Sequence, residues 1–233
     1  MRLFVSLTPP DHVLEHLDGA LDSVRTMAAP ESGKGPPALR WVPDELRHIT
    51  LAFYGEIPAG AVDELIAGLT LELATHPPLD LRLRGAGVFS SRTLWAGVQD
   101  QAPSTHSRRN GPLVDLMIAC EQAGRTAGSN LSRHERRRAH LTLARARGRV
   151  GADRRHRGGA LHRGERGHRG EPGHHRPAAP GAAVQLRQFA EALAVYEGPV
   201  WTAGEAHLMR SELGAGPGGG PQHRSLAVLP LTG

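Results

Sequence analysis

Cysteine is almost absent from this 233-residue chain. Cys120 stands alone, so no internal disulfide can form and no multi-cysteine zinc site can be built. Aromatic residues make up only 4% of the sequence, so a core has to be assembled chiefly from Leu, Val and Ala. No apolar run approaches the ~20 residues of a membrane-spanning helix. The opening run Leu3–Leu7 is too short for a secretory signal and is stopped by Pro9, Pro10 and Asp11. A soluble, cytoplasmic protein is therefore expected. Lysine is as rare as cysteine: Lys34 is the only one among 28 basic residues, which reads as a GC-rich coding bias.

The net charge of +5 hides two opposite parts. Residues 133–176 hold 14 Arg against 4 acidic residues, while the remainder has 14 basic and 19 acidic residues. Outside that block nothing suggests a broad nucleic-acid-binding face. Within it, His156, His162, His168 and His174 recur every six residues in HRGGAL, HRGERG, HRGEPG and HHRPAA. A tract so poor in apolar residues cannot bury a core, so 146–183 is expected to be a low-complexity, disordered insertion. An Arg-rich RNA-contacting loop and a His-rich metal tract are the competing readings.

A six-residue phrase occurs twice: HITLAF from His48 to Phe53, and HLTLAR from His140 to Arg145. Chance supplies roughly one bare His-x-Thr in a chain of this composition, but only on the order of 0.001 copies of the longer pattern. A duplicated element with both halves facing one substrate explains the repeat. Each copy reads as a buried strand, which places His48 with Thr50, and His140 with Thr142, on one face. The aliphatic residues between them point to the other face, into a core.

Around these motifs the pattern is α+β. Residues 2–7 predict a strand, and Thr8-Pro9-Pro10-Asp11 starts a helix with Val13, Leu14, Leu17, Leu21 and Val24 in one stripe. Residues 30–38 form a Pro/Gly/Ser loop. Val62, Leu65, Ile66, Leu69 and Leu73 mark a second helix, and strands are expected near 79–83 and 93–98. A third helix carries Leu113, Leu116, Met117 and Cys120, and a fourth Leu186, Phe189, Ala190 and Leu193. Strands at 200–210 and 224–231, joined by the turn 214–221, close the chain. The expectation is one domain over 1–233. It has two similar lobes, each an antiparallel sheet with helices on its outer face, and an active-site cleft between them.

Two imidazoles with two hydroxyls, facing each other across such a cleft, suit a tetrahedral phosphate diester. The hydroxyls donate to non-bridging oxygens, one imidazole activates water, and the other protonates the leaving oxygen. Histidine serves both roles because its ordinary pKa lies near neutrality. The two motifs are too alike to say which is the acid. Two His without an acidic cluster do not make a usual hydrolytic metal site, so no metal and no cofactor is expected. Ser90 and Ser91 lack a nucleophile-elbow setting, and Cys120 falls on an apolar helix stripe.

At these residues the chain resembles the two-histidine phosphoesterases, and within them the LigT/ThpR-like RNA 2′,3′-cyclic phosphodiesterases. RLFVSLTPP, RWVPDELRHITLAFYGEIP, VFSSRTLWAGV and RRAHLTLARAR carry the likeness, with a weaker tail match in VWTAGEAHLMRSELG. It covers most of the chain except about 100–111 and 146–183. The resemblance implies metal-independent hydrolysis of an RNA terminal 2′,3′-cyclic phosphate to a 2′-phosphomonoester. It makes His48 and His140 catalytic, with Thr50 and Thr142 binding the substrate. Arg145 matches a phosphate-contacting arginine, or else is a solvated strand-end residue. Phe53 and Phe89 match base-stacking positions, or else are core residues. Trp41 and Trp95 read as core. The implied partners are RNA ends or small cyclic-phosphate nucleotides, with no membrane and a monomeric chain. Ala139 departs from the family's Pro before the second His, and the His/Arg repeat departs from a short family connection. If the repeat displaced the strand at 140–145, the protein would be an inactive remnant. The nearest alternative is the same chemistry on another small cyclic phosphodiester, and a non-catalytic Arg-rich RNA-binding protein is the alternative of a different class.

Overall fold

The computed structural model describes residues 1–27, 38–101, 111–129, 137–147 and 180–233. The expected loop before Ala38 and the whole His/Arg hexad repeat lie outside those residues. The alternation of Leu3, Val5 and Leu7, all fully buried, forms the first strand, β1 (Arg2–Leu7). The helix α1 (Asp11–Met27) follows, its first turn accepted by the Pro10 carbonyl and its acidic start and basic end matching the helix dipole. Next come β2 (Leu39–Trp41), β3 (Ile49–Glu56), α2 (Val62–Leu73), β4 (Leu79–Phe89), β5 (Thr93–Asp100) and α3 (Pro112–Thr126). The chain ends with β6 (His140–Ala146), α4 (Pro180–Ala192), β7 (Glu197–Ala203), β8 (Glu205–Gly216) and β9 (Gly220–Pro230). The apolar stripes of all four helices are buried as their spacing requires.

The strands form one curled antiparallel sheet in the order β7-β4-β5-β6-β3-β1-β8-β9, with β2 pairing on β6. Helices α2 and α3 cover the half containing β3 and β9, and α1 and α4 cover the half containing β4 and β7. Each half is therefore a lobe of antiparallel strands under two helices, as expected. The lobes meet where β3 pairs β6, through a single residue pair, Ile49 with Leu141. The strand at 140–145 is not displaced. It pairs β5 along one edge, and β3 and then β2 along the other.

Three expectations are corrected. The run 200–210 is not one strand: it breaks at Gly204 into β7, which pairs β4 in one lobe, and β8, which pairs β1 in the other. Gly204 marks the break, but local sequence gives no sign of which sheet edge each half joins. The last strand begins at Gly220 rather than 224, because left-handed Gly218 and Gly219 make a tight turn that lets pairing resume at once. The insertion is also narrower than 146–183, since Ala146 still pairs Leu39 and α4 starts at Pro180.

Arg47 locks the entrance to β3. Its side chain is only 2% exposed, and its two terminal nitrogens donate to both oxygens of Asp18 on α1 at 2.9 Å. Nη2 also pairs Asp44 at 2.9 Å, and Nε donates to the Val42 carbonyl at 3.2 Å. Removing Asp18 leaves a buried guanidinium with one solvent-facing partner. Asp18→Ala is therefore expected to cost about 2 kcal/mol, read as a fall in melting temperature of roughly 4–8 °C. Asp22→Ala, which removes the exposed partner of Arg25, is expected to change stability by less than ~0.5 kcal/mol.

Candidate active site

Residues 42–48 arch over β6 between its pairing with β2 and its pairing with β3. The arch is pinned by the Val42 N–H, which donates to the Leu143 carbonyl at 2.9 Å. Under it lies a cavity of about 520 Å³, and His48, Thr50, His140, Thr142 and Arg145 all line it. One step to either side of the Ile49–Leu141 pair, the antiparallel register brings His48 opposite Thr142 and Thr50 opposite His140. With strand neighbours about 7 Å apart along the chain and about 5 Å across it, the histidines occupy opposite corners of a small rectangle. The threonines take the other two corners.

The two halves are alike in detail. Each imidazole donates Nδ1–H to the carbonyl two residues before it: His48 to Leu46 and His140 to Arg138, both at 2.8 Å. A carbonyl only accepts, so Nε2 of each neutral ring keeps the lone pair. Each ring also rests on a phenylalanine. Phe4 lies 4.8 Å from His48, and Phe89 meets His140 edge-on at 4.9 Å while stacking on Trp95. In the turn that delivers Phe89, Ser90 and Ser91 are both left-handed, and the Arg92 N–H donates to the Phe89 carbonyl at 2.8 Å.

The symmetry extends to a β-bulge in each motif. Pairing skips Leu51 on β3, where Val5 faces Ala52 and Ser6 faces Thr50, and skips Leu143 on β6, where Leu94 faces Ala144 and Trp95 faces Thr142. A strict two-residue alternation would turn the sixth motif residue away from the histidine. The skipped residue restores it, so Arg145 joins His140 and Thr142 on the cavity side. By the same device Phe53 is carried to the face of its partner Phe4, but it does not line the cavity. It is 44% exposed, with the Arg2 guanidinium 4.7 Å above its ring.

Sequence reasoning missed several residues here. His223 on β9 lines the cavity, its ring 5.3 Å from His48 and 5.0 Å from Phe4, and its buried Nδ1 has no hydrogen-bond partner among the described residues. Nothing local marks it, because β9 reaches the site only through the long-range pairing β3-β1-β8-β9. Arg40, Arg147 and Trp41 also line the cavity. Trp41 is not a plain core residue, being partly exposed and covered by Arg25 at 4.4 Å. Trp95 is buried as expected.

Burial pushes the His48 pKa down to about 4, against the raising effect of its bond to Leu46, and His223, Arg145 and His140 lower it further. His48 is thus neutral at pH 7. Burial also lowers His223, and lowers Arg145 with help from Arg40. Cys120 is fully buried and its thiol is pushed up by burial, in keeping with a core residue. Among the described residues no group of three or more His, Cys, Asp or Glu could hold a metal ion. No helix among them is long and apolar enough to cross a membrane.

Residues 17–98 match the model of the family described as LigT like Phosphoesterase. A curated RNA 2′,3′-cyclic phosphodiesterase of Geobacillus stearothermophilus is 36% identical over 92 residues, which are 38% of this chain and 28% of that protein. Another of the same name, from Methanothermobacter thermautotrophicus, is 25% identical over 111 residues, 46% of this chain and 55% of that one. The matched stretches thus span about a quarter and about half of those relatives' lengths. Among solved structures, TT0787 of Thermus thermophilus superposes with a TM-score of 0.62 at 19% identity, covering 100% of this chain and 99% of that one. Escherichia coli LigT complexed with 3′-AMP gives 0.61 at 21% identity, with 100% and 98% covered. These structures share the fold, and over residues 17–98 the chain is similar to the LigT-like phosphoesterase family.

Proposed function

We propose that this chain hydrolyses the terminal 2′,3′-cyclic phosphate of RNA to a 2′-phosphomonoester, with His48 and His140 as its acid–base pair. The observation that carries the reading is the single Ile49–Leu141 pairing, which turns two separate His-x-Thr motifs into one cavity. The curated relatives bear the name RNA 2′,3′-cyclic phosphodiesterase, which supports the substrate class. Both histidines come from one chain, so a monomer suffices. A cytoplasmic setting suits a chain with one buried cysteine.

The electrostatics divide the roles. A general base must start neutral, and His48 does so because burial and neighbouring cations disfavour its charged form. Its Nε2 lone pair takes a proton from water as the water oxygen bonds to phosphorus. The P–O3′ bond breaks, and His140, entering protonated at Nε2, gives that proton to the departing 3′ oxygen. Thr50 and Thr142 donate hydroxyl protons to the non-bridging oxygens, and the Arg145 guanidinium offsets their charge. A second turnover requires the proton on His48 to leave and His140 to be reprotonated, both through water in the open cavity. Phe89 holds the His140 ring, and Phe53 offers an exposed ring on which a base can stack. No step in this sequence calls for a metal.

His48→Ala and His140→Ala are each expected to lower kcat by about 10³–10⁴-fold. The readout is phosphorus NMR of an RNA ending in a 2′,3′-cyclic phosphate, with chelator present. Wild-type protein is expected to give the 2′-phosphate; a 3′-phosphate, or no product from folded protein, contradicts the reading. The pH dependence follows from the sign of the His48 shift. Because its pKa is lowered, the base stays neutral as pH falls, so kcat/KM should not decline on account of His48 until pH nears about 4. His223→Phe removes one charge-disfavouring neighbour, so His48 should protonate more readily and the acid limb move to higher pH.

A further inference from the structure

The cavity carries more positive charge than its proposed reaction uses. A terminal cyclic phosphate is a diester with one negative charge, and Arg145 alone can match it. Yet Arg40 and Arg147 line the same cavity, and among the described residues no Asp or Glu lines it. Among the described residues none of these three arginines has a carboxylate partner; the nearby carboxylates of Asp18 and Asp44 are taken by Arg47. Burial, and then Arg40 beside it, lowers the Arg145 pKa. Clustered guanidinium groups lining one cavity suit an anionic ligand.

The three are also placed together by construction. Arg40 and Arg145 are direct partners across β2 and β6, and Arg147 lies two residues beyond Arg145, on the same face. The Arg40 guanidinium lies against Gly220 at the start of β9. Along β6, Arg145 and Arg147 lie roughly 10–17 Å from the level of Thr142 at most, and the bulge at Leu143 shortens that run. The arginines therefore continue one line from the reacting centre instead of crowding around it.

We infer that Arg40 and Arg147, beside Arg145, form a second phosphate subsite, which takes the phosphate on the 5′ side of the terminal nucleotide. This rests on the proposed function and narrows it: the substrate is an oligoribonucleotide end, bound by two phosphates, rather than a free cyclic mononucleotide. Guanidinium forks suit this task because they bind phosphate oxygens in pairs and keep their charge at every physiological pH.

Steady-state kinetics on three substrates test it: a 2′,3′-cyclic mononucleotide, the same nucleotide with a 5′-phosphate, and a dinucleotide ending in that cyclic nucleotide. The second and third are expected to exceed the first at least tenfold in kcat/KM. In Arg40→Gln/Arg147→Gln that ratio should fall towards one, and the salt dependence of kcat/KM on the dinucleotide should flatten. Both side chains are exposed at the cavity rim, so folding is not at stake. Equal kcat/KM for all three substrates overturns the subsite, as does a ratio that survives in the double variant. An advantage for the dinucleotide that the 5′-phosphate alone does not reproduce also overturns it, because the second nucleoside would then be the group recognised. Turnover of none of the three refutes the cyclic-phosphate reading itself, an outcome distinct from these.

Discussion

One backbone pairing, Ile49 with Leu141, governs the rest of the structure. It is the only register pair between β3 and β6, so it is both the seam between the lobes and the centre of the site. The chain neighbours of these two residues are His48, Thr50, His140 and Thr142. The sheet opens away from the seam on both sides, which leaves room for the cavity while backbone hydrogen bonding fixes the relative position of the two motifs. Ile49 and Leu141 are themselves fully buried, so the same residues that join the lobes anchor the motifs in the core. Moving that register by one residue would turn one of the two histidines away from the other.

Around the seam each lobe repeats the same supports: a carbonyl two residues upstream, a phenylalanine against the ring, and a skipped leucine in the strand. The departures from symmetry set the chemistry. On the β3 side, burial first, and then His223 and Arg145, press His48 towards its neutral form. On the β6 side, the bulge at Leu143 brings an arginine to the cavity, whereas its counterpart at Leu51 carries an exposed phenylalanine that does not line it.

Much of this was legible in the sequence because it is local. The helix stripes, the strand alternation at 2–7 and the facing of His48 with Thr50 follow from short-range periodicity, and the duplication itself announced a paired site. What was not legible is long-range. Breaking 200–210 at Gly204 depends on two sheet edges that compete for one run. His223 becomes a site residue only after three strand pairings have been made. The bulges are a third case: two-residue alternation places Arg145 on the wrong face, and only its register against β5 shows the skipped Leu143. The strand at 140–145 posed the opposite problem. A repeat beginning just beyond it left open whether it loops out or displaces the strand, and pairing on both edges holds the strand in place.

The central claim is that His48 is the base and His140 the acid of one cyclic-phosphate hydrolysis. It is tested most directly by replacing the departing 3′ oxygen of the substrate with sulfur. A thiolate leaves without protonation, since its conjugate acid has a pKa of about 8.5. The account predicts that His140→Ala recovers most of its lost rate on the sulfur substrate, while His48→Ala does not. Recovery of His48→Ala in its place, or of neither variant, would contradict it.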